Sequence, residues 1–146
     1  MRRGFSIIAF GAMLGSVALH LFYLAGGMKR AGPILFGMYF GVFILGIPAI
    51  FVCTRLAEHG VRGRAEQWRY VKSHCPHRLS RAVGLLAVYA LLWVLRDIAL
   101  LNLGHSSADA SVGTVTASMM AIYGLLGMIF VGTKPDPAGY RSEWVV

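Results

Sequence analysis

Long uncharged runs alternate with short charged segments along the chain. Residues 5–27, 32–54 and 112–133 contain no Asp, Glu, Lys or Arg, and 82–104 contains only Arg96 and Asp97. Each run is about 22 or 23 residues long. At ~1.5 Å per helical residue such a run reaches ~34 Å, enough to cross ~30 Å of hydrocarbon. None of the runs carries the polar face that a water-exposed helix needs, which argues against a soluble bundle. The pattern therefore predicts an all-α integral membrane protein: a single four-helix transmembrane domain over 1–146.

Connection lengths then predict the layout. Residues 28–31 form a very short turn, and 105–111 is a short stretch rich in small residues. Both connections make their flanking spans antiparallel neighbours. The expected fold is thus two antiparallel hairpins, with the longer segment 55–81 as a basic cytoplasmic loop between helices 2 and 3. A tail over 134–146 contains Pro135 and Pro137, so it is expected to be extended, with Tyr140 and Trp144 at the membrane interface. Pro48 is expected to kink the second span near its inner end.

Composition agrees. The 146 residues are 57% hydrophobic and 14% charged, against about 25% charged in a soluble domain. The net charge of +8 would suggest nucleic acid in a soluble protein, but the placement of the cations explains it better. Arg2 and Arg3 precede the first span. Arg55, Arg62, Arg64, Arg69, Lys72, Arg78 and Arg81 lie between spans two and three, and Lys134 and Arg141 follow the last. Only Lys29 and Arg30 fall on the other side. Basic residues collect on the cytoplasmic side of short loops, so both termini are expected in the cytoplasm, with a bacterial inner membrane as the setting and no nucleic-acid partner. The start Arg2–Arg3–Gly4–Phe5 resembles a twin-arginine signal. The run after it is longer than a signal core of roughly 7–15 residues, so it is expected to stay as the first helix.

The segment 55–81 has two readings. Ala57, Val61, Ala65, Trp68 and Val71 fall near one helical face, with Trp68 and Tyr70 suited to the membrane interface and Arg62, Arg64, Arg69 and Lys72 suited to anionic headgroups. The stripe is thin, and a solvated loop is the alternative.

Lipid tails are as apolar as Leu, so small residues decide where membrane helices touch. Gly11 and Gly15 form such a pair in span one, Gly37 and Gly41 in span two, and Gly124 and Gly127 lie along one side of span four. Packing within the chain is the ordinary use of these pairs. Oligomerisation or a partner helix is the sharper one.

A charge inside a span is expensive and points to function or to a structural network. Counting from the inner surface puts Arg96 and Asp97 at about the depth of His20, in the outer half. Ser16, His20 and Tyr23 share a stripe of span one; Tyr89, Trp93 and Arg96 share a face of span three. Asn102, Thr114, Thr116 and Ser118 add polar groups towards the outer side. Neighbours on a helix point ~100° apart, so Arg96 and Asp97 are each expected to seek a partner on another helix. The expectation is a polar intramembrane cluster of His20, Arg96, Asp97, Tyr23, Ser16 and Asn102, acting as a binding site or as a structural network.

Catalytic, metal and cofactor motifs are not found. Cys53 and Cys75 fall on the cytoplasmic side with no C-x-x-C spacing. His59, His74, Cys75 and His77 match no zinc pattern. A membrane haem would want two embedded histidines, and His20 stands alone, with His105 at the outer surface. Arg96 beside Asp97 would hold the carboxylate ionised, which suits proton-coupled efflux poorly. No metal or cofactor is therefore expected.

The leading functional expectation is a non-catalytic accessory, inhibitor or immunity-type protein. It would contact another membrane protein, or itself as a homo-oligomer, within the lipid bilayer. Alternatives are an oligomeric transporter or ligand- or ion-binding protein using Arg96, Asp97 and His20, and a quinone or redox accessory subunit.

Overall fold

The computed structural model describes residues 2–26, 32–58, 60–61, 63–103 and 107–133. All its regular structure is helical: α1 Arg2–Leu24, α2 Gly32–Glu58, α3 Arg64–His74, α4 His77–Asn102 and α5 Ser107–Gly132. Four of these helices are long and apolar enough to cross a membrane, over Gly4–Leu24, Phe36–Glu58, His77–Asn102 and Val112–Gly132. Lys29, Arg30, His59, Arg62, His105 and the tail from Lys134 lie outside the described residues.

Helices run past the uncharged stretches at several ends. α2 continues to Glu58, α4 begins at His77 rather than near 82, and α5 begins at Ser107. A helix satisfies its own backbone hydrogen bonds, so it can continue into a polar environment where apolar side chains stop. α2 also runs on through Pro48.

The bundle is built on α5. In its apolar stretch 61% of the residues are buried, against 17% in each of the other three. α1 and α4 run antiparallel to α5. Phe5 stacks on Phe130, while His20, near the other end of α1, meets Thr116. Val83 of α4 lies against Gly124, and Trp93 against Gly113. α2 runs parallel to α5: Gly41 meets Tyr123, whose hydroxyl donates to the Met38 carbonyl at 2.5 Å. Further along α2, Leu45 and Ala49 share a core with Met119, Leu126 and Phe130. Direct contact between α1 and α2 is slight, and both pack mainly on α5.

Glycine explains how α5 accepts so many neighbours. A Cβ at Gly127 would lie 2.6 Å from the Phe10 ring, and one at Gly113 would lie 2.5 Å from Trp93 and 2.7 Å from Tyr23. Gly124 is tight against Val83. Gly41 is tight against Tyr123. Gly11, Gly15 and Gly37 differ, because an added Cβ there meets nothing within 4 Å. They do not pack against the described residues. They stand on the outer sides of α1 and α2, among exposed side chains such as Leu14 and Phe36.

Segment 55–81 contains a short helix, α3, docked across the end of α5. Val71 packs on Gly132, and Cys75 joins Val71, Val83 and Met128 in one buried cluster. The Cys75 thiol donates to the Met128 carbonyl at 3.3 Å. Burial pushes its pKa up, although a backbone hydrogen bond from Gly132 opposes this. The thiol stays the protonated donor this contact requires. Tyr70 packs under Leu56 and Val61. It is fully buried within the protein, so its ring packs on the bundle and is not presented outward. The buried face is Tyr70 and Val71, while Ala65 and Trp68 point outward. The expected stripe counted from Ala57 fails because the helix breaks: Gly60 and Gly63 take positive φ, and α3 restarts the phase at Arg64.

Gly132→Ala separates structural glycines from open ones. Its Cβ would meet backbone atoms of Val71, which cannot rotate away, so α3 must shift. A loss of about 1–3 kcal/mol is expected. Gly11→Ala leaves stability unchanged or raises it by up to about 1 kcal/mol. Unfolding of both variants by denaturing detergent, followed by circular dichroism, checks the contrast.

Candidate functional site

His20 is the centre of the polar group. It projects from α1 between α4 and α5 and is almost fully buried. Its Nδ1 lies 2.8 Å from Thr116 Oγ1, and its Nε2 lies 2.7 Å from the Tyr89 hydroxyl. With the Thr116 proton assigned to its own helix, the proton count sets the tautomer. Thr116 has one hydroxyl proton, and it goes back to its own helix, to the carbonyls of Val112 at 2.9 Å and Gly113 at 3.0 Å. Thr116 Oγ1 therefore accepts from His20 Nδ1–H. Nε2 is left to accept the Tyr89 O–H. Both ring nitrogens are satisfied, and one side chain ties three helices together.

Aromatic rings enclose it. Trp93 meets His20 edge-on with ring centroids 5.0 Å apart, and Tyr89 does so at 5.5 Å. Tyr23 lies 6.2 Å from His20 and 6.0 Å from Trp93. The glycine at 113 makes room for this cage, since any side chain there would strike Trp93 and Tyr23.

Arg96 and Asp97 stand one turn further along α4. Arg96 packs its guanidinium over the Trp93 ring, with Cζ 4.6 Å from the centroid, and its side chain is 50% exposed. This is a cation–π arrangement. Asp97 turns inward. Its Oδ2 accepts the hydroxyl of Thr114, with the Trp93 carbonyl 3.3 Å from the same Thr oxygen. Arg96 Nη1 lies 3.7 Å from Asp97 Oδ1, an ion pair too long for a hydrogen bond. Oδ1 is buried and has no hydrogen-bond partner among the described residues.

His20 and Arg96 thus meet through the Trp93 ring, while Asp97 pairs with Arg96 and bonds to Thr114. Asp97 finds its cross-helix partner on α5 in Thr114. Arg96 stays with its own helix and with its sequence neighbour. Ser16 is buried one turn below His20 but donates to the Ala12 carbonyl at 2.8 Å, closing on its own helix. Asn102 is exposed at the last position of α4, away from the cage. Arg64, Arg69 and Lys72 are exposed on α3, at the other end of the bundle.

The sequence set Tyr89 and Trp93 on the face of Arg96 and Thr114 and Thr116 nearby but outside the expected cluster, whereas they are the partners that organise the group. The available signal was the pair of hydroxyls at 114 and 116 near the start of an uncharged span. These hydroxyls reach two neighbouring groups, one on α4 and one on α1. Among the described residues no three His, Cys, Asp or Glu side chains gather as a metal site would need.

No family model matches the chain, and neither a curated protein nor a solved structure is detectably similar to it.

The His20 link is measurable by a double-mutant cycle. His20→Ala and Tyr89→Phe each lower the stability of the folded protein in detergent. Their coupling is expected near 0.6 kcal/mol and below about 2 kcal/mol, the range found for side-chain hydrogen bonds between membrane helices. Strict additivity of the two changes would mean that the Nε2 contact carries no energy.

Proposed function

We propose that this chain is a small polytopic protein of a bacterial inner membrane. On this reading it contacts a partner within the bilayer as an accessory, inhibitor or immunity-type protein, without catalysis of its own. The partner is another membrane protein or a further copy of the chain. The end of the bundle that carries α3 faces the cytoplasm, with both termini on that side, as the basic residues of 55–81 favour. In the finer layout α1 and α2 form one hairpin and α4 and α5 the other, joined through α5 rather than by close packing of α1 on α2.

The observation that supports this reading is how glycine is used. Each described glycine of α5 past position 112 is tight against a neighbour, and Gly41 likewise. The pair Gly11 and Gly15 is instead open and sits on the side of α1 away from α5. Small residues at this spacing let a second backbone approach closely. The closed polar group adds support, because a His20 with both nitrogens occupied braces the bundle and leaves the outer faces as the variable part.

Affinity purification of the tagged full chain in mild detergent, with mass spectrometry of what is retained, tests the proposal. A stoichiometric membrane partner or a homo-oligomer is expected. Gly11→Leu with Gly15→Leu should abolish that association while leaving the unfolding midpoint unchanged. Recovery of a lone monomer from the wild type would refute the reading, as would undiminished association of the double variant.

A second reading rests on Asp97 Oδ1, a buried acceptor without a hydrogen bond among the described residues, beside a half-exposed Arg96. Here the outer polar group handles a small ligand or ion, with Arg96, Asp97 and Tyr23 as its lining and His20 as its support. Asp97→Asn discriminates. It abolishes ligand retention or flux on this reading, and leaves partner recovery unchanged on the leading one.

A further inference from the structure

The α3 end of the bundle concentrates positive charge on a folded surface. α3 is fixed from beneath by Tyr70, Val71 and Cys75, and its Gln67 Nε2 donates to the Cys53 carbonyl of α2 at 3.1 Å. Docking sets its rotation. Trp68, Arg69 and Lys72 therefore share the outward face, and all three are exposed. Arg64 is exposed at the helix start.

Neighbouring helices extend the same surface. α2 ends beside α3, where Leu56 packs on Tyr70, and it brings exposed Arg55. α4 starts beside α3, where Leu79 and Val83 join Val71 and Cys75, and it brings exposed Arg78 and Arg81. Facing these six cations are two described carboxylates, Glu58 and Glu66. Neither lies within ion-pair distance of any of the six, since the ion pair found among the described residues is Arg96 with Asp97. A cation surface that no described carboxylate neutralises, at the ends of apolar helices and with a 42% exposed Trp68 in it, matches a negatively charged lipid interface. Trp prefers the headgroup level, and each nearby Lys or Arg adds attraction to anionic lipid.

We propose that α3 is an interfacial helix that binds anionic phospholipid headgroups through Arg64, Arg69 and Lys72, with Trp68 entering the interface and Arg55, Arg78 and Arg81 completing the site. This differs from charge merely scattered in a loop. The docked helix holds its cations at fixed positions, so lipid selectivity depends on α3 itself. The inference is independent of any partner of the outer faces.

Electron paramagnetic resonance of the full chain in phosphatidylcholine vesicles, with trace spin-labelled phosphatidylglycerol or phosphatidylcholine, reads the preference directly. The wild type should hold phosphatidylglycerol over phosphatidylcholine several-fold, and less so as salt rises. A gain of about 1 kcal/mol per cation corresponds to roughly fivefold, so Lys72→Gln alone should cut the preference by up to about fivefold. Arg64→Gln, Arg69→Gln and Lys72→Gln together should abolish it. These side chains are exposed, so circular dichroism and unfolding should stay as in the wild type. Inorganic phosphate should compete weakly, because a single free anion lacks the interface that Trp68 uses. An unchanged preference in the folded triple variant would overturn the proposal. So would a loss produced equally by Arg2→Gln with Arg3→Gln, which would make the effect one of net charge. Tight RNA binding abolished by the triple variant, with lipid preference intact, would reassign the surface.

Discussion

Apolar side chains gain little by leaving lipid for a neighbouring helix, so close backbone approach has to hold a membrane bundle together. Here that approach is concentrated on one helix. α5 offers Gly113, Gly124, Gly127 and Gly132 to three different neighbours, and larger side chains of those neighbours fill the space. Phe10, Val83, Trp93 and Val71 are the fillers. α2 uses the reverse fit, in which Tyr123 of α5 reaches across Gly41 to the Met38 carbonyl. With α5 enclosed, α1, α2 and α4 each keep a broad apolar outer face. The arrangement is a central helix with a surround more than a pair of equal hairpins.

Polar side chains inside this bundle follow the same economy. A buried polar group without a partner is costly in an apolar medium. His20 meets that requirement fully, Ser16 and Thr116 meet it partly through their own helices, and among the described residues Asp97 meets it with one oxygen only. Satisfaction thus declines from His20 towards the Arg96 end of the cage, where the Arg96 side chain is half exposed. Trp93 connects the two regimes, edge-on to His20 and beneath Arg96.

The α3 segment shows the limit of local pattern. Eleven residues are too few for an isolated helix to be stable in water. Its phase is broken from α2 by two positive-φ glycines. Whether it folds, and which side it buries, depends on Val71 meeting Gly132 and Tyr70 meeting Leu56, contacts made with residues far away in the chain. A stripe drawn through Ala57, Val61, Ala65, Trp68 and Val71 therefore mixes two sides: Val61 and Val71 are buried, and Ala65 and Trp68 are exposed.

Local composition is enough to make the chain helical, to make four of its helices long and apolar enough to cross a membrane, and to keep its embedded polar residues few. Those properties are sums along a single segment: a run of 22 or so apolar residues has the same length and hydropathy whatever lies beside it. That His20 and Arg96 both lie against Trp93 agrees with a count along two parallel helices of uniform rise. Tertiary structure alone decided the rest. It made α5 the centre, separated the packed glycines at 41, 124 and 127 from the open ones at 11, 15 and 37, and joined His20 to Tyr89 and Thr116 rather than to Asp97. Each of those outcomes turns on the rotation of one helix about its axis relative to another. A rotation of about 100° exchanges one residue for the next, and only the fit between two surfaces selects it.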